Sequence, residues 1–275
     1  MNNAGLLLKS KHGGGDDSFA ESVFAADITG LSDISSYSNV KIDGSGAHFL
    51  SSGYSGVTEN IRNSDGTAIG VSSSNSPRKI WTIKPSGFGA LSSITYKITY
   101  GTYGLFTDQI LLYCDGTLVA ESDEYVKSDD NEQIEFTCTF DGFVLDPNKT
   151  YDVYLKTNYT TNRTMDSGTI TATPLVYTTG NVISNEIMLQ AGHTRAAFYA
   201  YTSGNAPDAM VKLGNGSFES VAEKLSKQAV SQTGVSCTAR RYEYEFLPGT
   251  YESITIKLEM SGADSVVYGF FGAIL

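Results

Sequence analysis

Charge is scarce in this chain. Only 18% of its 275 residues are Asp, Glu, Lys or Arg, where about 25% is usual. The shortage falls on the positive side, because 19 Lys and Arg against 30 Asp and Glu leave a formal net charge of −11. Such a chain would meet repulsion at a phosphate backbone in place of the favourable release of counterions. Nucleic acid is therefore set aside as a partner, and an anionic membrane surface with it. Long apolar runs are missing too. The stretch "VVYGFFGAIL" at Val266–Leu275 is about half the ~20 residues that a membrane-crossing helix needs; it fits a buried strand, or one packed on a neighbouring subunit. At the start, "MNNAGLLLKSKHGGGDD" has three consecutive leucines before a lysine, short of the roughly 7–15 apolar residues of a secretory signal. No signal peptide is expected, and synthesis in the cytoplasm is.

Cysteine and histidine are sparse, with three of each. Cys114 shares its parity with Ile110 and Leu112, Cys138 with Ile134, Phe136 and Phe140, and Cys237 with Val235 and Ala239. That places the thiols on apolar strand faces, as free buried cysteines or as a Cys114–Cys138 disulfide. Their spacing matches no zinc motif. His12, His48 and His193 accompany no G-x-S-x-G elbow, so no nucleophile and base are written together. His193, after a glycine in "QAGHTRAAF", fits a surface or turn position. "HGGGDD" carries aspartates where a phosphate loop needs Lys and Ser or Thr. The acidic run "ESDEYVKSDDNE", residues 121–132, is polar throughout. It has none of the apolar burial that raises a carboxylate pKa for acid catalysis, and it departs from the EF-hand spacing. A solvated loop, or a loosely held calcium ion, is what such a run offers. No cofactor, metal site or catalytic residue is assigned.

What the chain has in quantity is Ser and Thr, 59 together, with 28 Gly, 17 Tyr and 13 Phe. These residues favour half-wet pleated surfaces and tight turns. Four N-x-[ST] sequons, at Asn148, Asn158, Asn162 and Asn215, carry no weight. With 14 Asn, and 59 of 275 residues Ser or Thr, about three would arise by chance.

Strand grammar dominates from residue 36 onward. In "SSITYKITY", Ile94, Tyr96, Ile98 and Tyr100 alternate with polar residues; "QILLYCDGTLVAES" predicts a hairpin turning at Asp115-Gly116; Asp65-Gly66 marks another tight turn. "YEYEFLPGTYESITIKLEM" predicts a further hairpin, with Tyr242, Tyr244 and Phe246 on one face before Pro248-Gly249 and Ile254, Ile256, Leu258 and Met260 inward after it. One helix is expected in "SFESVAEKLSKQAVSQTG", where Phe218, Val221, Ala222 and Leu225 fall at i, i+3, i+4 and i+7 with Ser217 as cap and Gly234 beyond the end. A second, shorter one is expected in "SFAESVFAAD" from Phe19, Val23 and Ala26.

The expected fold is mainly β, with two β-sandwich or jelly-roll-like domains at residues 36–180 and 181–275, the second carrying the one α-helix. An N-terminal arm over residues 1–35 precedes them, ordering on the body or a partner, or else a flexible tail. With no titrating constellation, aromatic surface is what remains for binding. Tyr103 stands between glycines in "TYGTYGLF", and Tyr125, Tyr159 and Tyr177 sit in polar surroundings where a ring can stack on a sugar. Tyr103, Tyr125 and Tyr159 are the candidate ligand-binding residues, against the alternative that such tyrosines half-bury along strand edges.

In the texture of "SSITYKITYGTYG", "YDVYLKTNYTTN" and the arm "HGGGDDSFAESVF", the chain resembles the accessory virion proteins of tailed bacteriophages, meaning tail-fibre, baseplate and head-decoration proteins. The resemblance implies a non-enzymatic structural and adhesion protein, located in the virion as a homo-oligomer among other virion proteins. A carbohydrate-binding module for host-surface glycans is the alternative, and a glycan depolymerase the third reading.

Overall fold

The computed structural model describes residues 22–231 and 234–275. Two units divide the chain: Ser52–Val176 forms one, while the chain up to Ser51 and Tyr177–Leu275 together form the other. The first is thus an insertion in the second. The expected contiguous domains 36–180 and 181–275 give way to this nested arrangement because residues 34–49 supply strands to sheets built mainly from residues beyond 177.

In the discontinuous unit, one sheet runs β20 (Glu223–Val230), β21 (Ser236–Glu245), β17 (Arg195–Ser203), β23 (Val266–Ile274), β4 (Gly46–Phe49), β3 (Val40–Asp43), with β1 (Ser22–Asp27) also on β23. The other runs β19 (Glu219–Val221), β18 (Asp208–Leu213), β22 (Ser253–Ser261), β15 (Thr179–Ser184), β2 (Ile34–Ser38), with β16 (Ile187–Met188) on β22. Their apolar faces form one core that includes Phe198, Tyr242, Ile254, Ile256, Leu258 and Val267. All strand pairs here are antiparallel, and the stretch "VVYGFFGAIL" becomes the buried centre of its sheet, paired to β17 along its length.

The inserted unit repeats the plan. Strands β10 (Thr117–Glu121), β9 (Phe106–Cys114), β13 (Tyr151–Thr157) and β7 (Arg78–Ile83) form one sheet, with β11 (Tyr125–Lys127) on β9. Strands β12 (Gln133–Leu145), β8 (Gly89–Thr102), β14 (Arg163–Pro174) and β5 (Gly56–Asn60) form the other, with β6 (Gly70–Val71) on β14. Its separate core gathers Ile94, Tyr96, Ile110, Leu112, Phe136 and Val153. The turn expected at Asp115-Gly116 joins β9 to β10 with both residues at positive φ, as a two-residue hairpin turn requires.

Three local expectations are corrected. No α-helix occurs among the described residues, and the segment expected to be helical holds β19 and β20. The helical stripe was two turns long and intrinsically weak. The segment pairs with β21 instead, from Tyr242↔Glu223 to Ser236↔Val230, a tertiary contact that overrides the local preference. Only Val221 of the stripe enters the core, and Leu225 is exposed. The predicted hairpin Tyr242–Met260 is two correctly faced strands that do not pair, since β21 and β22 belong to opposite sheets. Both present an apolar face, so crossing from sheet to sheet through residues 246–252 lets the two faces pack across one core. The expectation of an arm with a short helix falls largely on residues 1–21, outside the described residues; Ser22–Asp27 is a strand, bound by six register partners on β23.

The ends of the insertion are tied within it. The carbonyl of Phe88 accepts both Tyr54 N (2.8 Å) and Leu175 N (3.1 Å), and Ser55 O accepts Ala172 N (3.0 Å). Entry and exit strands therefore lie side by side, the usual condition for a domain that can be inserted or excised without loss of fold. In the discontinuous unit, Asn39 serves both sides of the interruption: its carbonyl accepts Leu50 N (3.4 Å) and its Nδ2 donates to Thr179 O (2.9 Å). Residues 52–176 expressed alone are expected to fold cooperatively, with Trp81 buried and its Nε1 donating to Glu59 as in the intact chain. Urea unfolding followed by the fluorescence of this single tryptophan checks it; solvent-exposed emission in buffer would contradict it.

Candidate functional site

Strand β8 starts at the tied ends of the insertion and runs 14 residues away from them, roughly 45 Å at 3.3 Å per residue. Up to Ile98 it alternates as expected, with Ile94, Tyr96 and Ile98 buried. The register against β12 then shifts between Gln133 and Glu135. Alternation lapses at this irregularity, with Thr99 and Tyr100 both outward before Thr102 returns to the interior. Tyr100, expected inward, is consequently 80% exposed. The turn to β9 adds Tyr103 and Leu105, the latter 69% exposed, and the neighbouring strand ends add Val126 and Ile134. Five exposed apolar or aromatic side chains are thus collected at the end of the sandwich remote from its tether.

The tip is held in place by hydrogen bonds. Gly104 has φ +89, a conformation that glycine adopts without strain, and its N–H donates to Asp130 Oδ1 at 2.7 Å. The Tyr103 hydroxyl donates to the Glu132 carboxylate, which raises the tyrosine's pKa. Glu132 itself lies across Gly101, where any side chain would collide with it. The acidic loop therefore binds its own protein. Lys127 Nζ reaches Asp129 Oδ1 at 2.9 Å, and Thr139 donates to Asp123 Oδ2 at 2.9 Å. Among the described residues, no three His, Cys, Asp or Glu side chains are grouped to hold a metal ion.

Beneath the tip lies a buried ion pair that sequence reasoning missed. Arg163 and Asp108 are both almost wholly inaccessible, and two parallel bonds of 2.7 Å join them. Arg163 also donates to Thr157 Oγ1 (2.8 Å) and Tyr96 Oη (3.1 Å), and the Tyr96 hydroxyl donates to Asp108. Burial and the adjacent Asp108 charge hold the Tyr96 pKa well above its ordinary value. Burial alone would lower the Arg163 pKa, but its bonds to Asp108 raise it instead. Four rings border the guanidinium: Phe106 at 4.5 Å, Tyr159 at 5.2 Å, Phe136 at 5.5 Å and Tyr96 at 5.8 Å. Two of them carry the tip, since Phe106 directly follows Leu105 and a side chain at Gly104 would touch Tyr159. The sequence did hold a signal. Asp108 shares the inward parity of Phe106, Ile110 and Leu112, and Arg163 that of Met165, so an acid and a base each stood on a core-facing position.

Of the candidate tyrosines, Tyr103 is at the surface. Tyr159 is half-buried, its ring centroid 4.9 Å from that of Phe106, and Tyr125 is half-buried edge-on to Phe136 at 5.7 Å, its hydroxyl on Gln133 Oε1 (2.9 Å). Tyr159 and Tyr125 thus support the tip from within. A shallow hollow of about 100 Å³ beside them is bordered by Thr107, Gln109, Glu124, Lys156 and Asn158. Its polar groups are largely engaged with one another, Lys156 with Gln109 at 3.1 Å and Asn158 Oδ1 with Thr107 N at 2.8 Å.

In the discontinuous unit a histidine meets an exposed hydroxyl, with Ser45 Oγ 2.9 Å from His48 Nε2. Asp43 Oδ1 accepts both Ser45 N (2.9 Å) and Ser45 Oγ (2.6 Å), and lies 3.3 Å from the same His48 nitrogen. In a catalytic triad the carboxylate orients the far nitrogen of the imidazole. The local bonds here are those of an Asx turn closing the β3–β4 hairpin. His193 is buried, its Nδ1 accepting Gln190 N at 2.9 Å in a turn. All three cysteines are free thiols, and burial pushes the pKa of Cys138 up to about 12.

No protein-family model matches the chain, and no curated protein matches it. A chain in a solved structure of infectious bursal disease virus, Gt strain, matches with TM-score 0.17 and 8% identity, over 96% of this chain and 47% of that one. This chain thus spans about half the length of the matched one, and that TM-score establishes no common fold.

Removing one member of a buried ion pair, here bonded at every polar atom but Arg163 Nε, leaves the other charge stranded, at a cost of about 3–5 kcal/mol, whereas apolar replacement of both is often tolerated. Asp108→Ala is therefore expected to lower the stability of the inserted unit by about that amount in urea unfolding read by Trp81. The double variant Asp108→Leu, Arg163→Met should recover most of it. A single-variant loss under about 1 kcal/mol would contradict a structural role for the pair.

Proposed function

We propose that the chain is a non-enzymatic structural and adhesion component of a virus particle, working through protein–protein contacts. One observation carries the reading: the exposed side chains Tyr100, Tyr103 and Leu105 stand at the end of the inserted sandwich remote from its tethered ends, on a turn fixed from below. Apolar side chains held out on a rigid scaffold gain little for the fold and suit contact with another surface. The two-sandwich architecture, the low content of charge and the resemblance in texture to accessory virion proteins support the particle setting.

A second reading is favoured by Tyr103 itself. An exposed ring flanked by the carboxylates of Glu132 and Asp130 offers the stacking face and hydrogen-bond acceptors by which a sugar is recognised. On that reading the adhesive contact is to a host-surface glycan.

Peptide mass analysis of density-banded particles tests the first reading. The chain is expected to band with the particles in fixed ratio to their other proteins, and recovery from the particle-free fractions alone would overturn the proposal. A glycan array with Tyr103→Ala as control separates the second. Because Tyr100, Tyr103 and Leu105 are exposed, Tyr100→Ser with Leu105→Ser should change stability by no more than about 0.5 kcal/mol each, while attachment to the partner surface falls at least tenfold.

A further inference from the structure

The edge strand β20 of the discontinuous unit is unusual for its accessibility on both faces. Seven of its eight residues are exposed, including Leu225 at 52% and Val230 at 63%. It pairs with β21 on one side, and no strand lies on its other side among the described residues. Which backbone groups meet that open side follows from the ladder. Ser231 N donates to Val235 O at 2.8 Å, and the same register continues through Ala229↔Cys237, Lys227↔Ala239 and Leu225↔Arg241. Antiparallel strands alternate between bonded and non-bonded pairs. The amides and carbonyls of Leu225, Lys227 and Ala229 are therefore turned to β21, and those of Ser226, Gln228 and Val230 are turned outward.

Proteins commonly guard such an edge with a lysine that projects over it. In β20 that guard is withdrawn: the Nζ of Lys227 lies 5.4 Å over the ring of Tyr199, back on its own sheet. Lys224 sits in the register shift between Glu223 and Leu225, outside the regular part of the strand.

We propose that β20 is an assembly edge that pairs antiparallel with β20 of a second copy of this chain, in the register Gln228↔Gln228, Ser226↔Val230. The outward-facing residues are symmetric about Gln228, so a two-fold axis there engages all of them at once, with two hydrogen bonds per opposed pair and about six in all. Of the neighbouring symmetric registers, one centred on Lys227 sets the two lysines directly opposite each other, a destabilising like-charge pair. One centred on Ser226 leaves Val230 unused and draws on the irregular Lys224. Centred on Gln228, Lys227 faces Ala229 of the other copy and Val230 is covered. The interface rests on the fold of the discontinuous unit and holds whether or not the virion reading does.

Cysteine cross-linking in full-length protein with Cys114→Ser tests the register. Opposed residues in a bonded antiparallel pair have Cα atoms about 5.5 Å apart, within disulfide reach. Gln228→Cys is expected to form a covalent dimer under mild oxidation, Ser226→Cys alone to remain uncross-linked, and the pair Ser226→Cys with Val230→Cys to cross-link. In light scattering, the unsubstituted chain should reach dimer mass at micromolar concentration. Gln228→Pro, which removes an outward N–H and leaves the bonds to β21, should be monomeric with an unchanged thermal unfolding midpoint at matched monomer content. A chain that stays monomeric at every concentration, or Gln228→Cys cross-linking no faster than Ser226→Cys, overturns the proposal.

Discussion

A charge pair with almost no access to water is costly to bury, and Asp108 and Arg163 offset that cost by satisfying one another. The bidentate contact, the hydroxyls of Tyr96 and Thr157 and the surrounding rings account for nearly every polar atom of the pair. Such an arrangement gains little over a well-packed apolar core in stability. What it adds is direction. Asp108 comes from one sheet, and Arg163 and Tyr96 come from the other, so the bonds join the two layers in one registration at the end where the tip emerges. Phe106 and Tyr159 pass that registration to the turn at Tyr103–Leu105.

At its other end, the inserted sandwich is closed by hydrogen bonds converging on Phe88, and the discontinuous unit closes over its own interruption through Asn39. Each unit thus resolves its backbone bonding internally, as chain segments must when the connection between them is two single crossings. The β-bulge near Tyr100 belongs to the same logic. Without it, the parity of β8 would send the ring into the core, and the end of the sandwich would lose its most exposed aromatic side chain.

Much of the fold was legible from alternation alone. Ile94, Tyr96 and Ile98, or Ile254, Ile256, Leu258 and Met260, face inward as their spacing requires, and Asp115-Gly116 marks its turn. Legibility ended where the deciding partner was distant in sequence. Residues 218–225 have a helical stripe, yet they hold β19 and the start of β20 because β18 and β21 are adjacent in space. Tyr242–Glu245 and Ser253–Met260 have hairpin grammar, yet pack face to face, since parity specifies a face and leaves the neighbour open. The nesting of one domain in the other follows from the pairing of β2 with β15 and of β4 with β23, contacts across more than a hundred residues that no local pattern encodes. The tyrosines show the same limit. Polar neighbours in sequence suggested free rings at Tyr103, Tyr125 and Tyr159, but the second and third are covered by residues brought over from other strands.

The claim on which the account turns is that the buried pair fixes the tip. Hydrogen exchange on the intact protein, comparing the unsubstituted chain with Arg163→Met, measures it directly. If the pair sets the tip, exchange across residues 100–107 and 128–134 should accelerate by about a hundredfold, the counterpart of losing about 3 kcal/mol, while β22 in the discontinuous unit keeps its protection. Unchanged protection at the tip, or the same acceleration in both units, would contradict it.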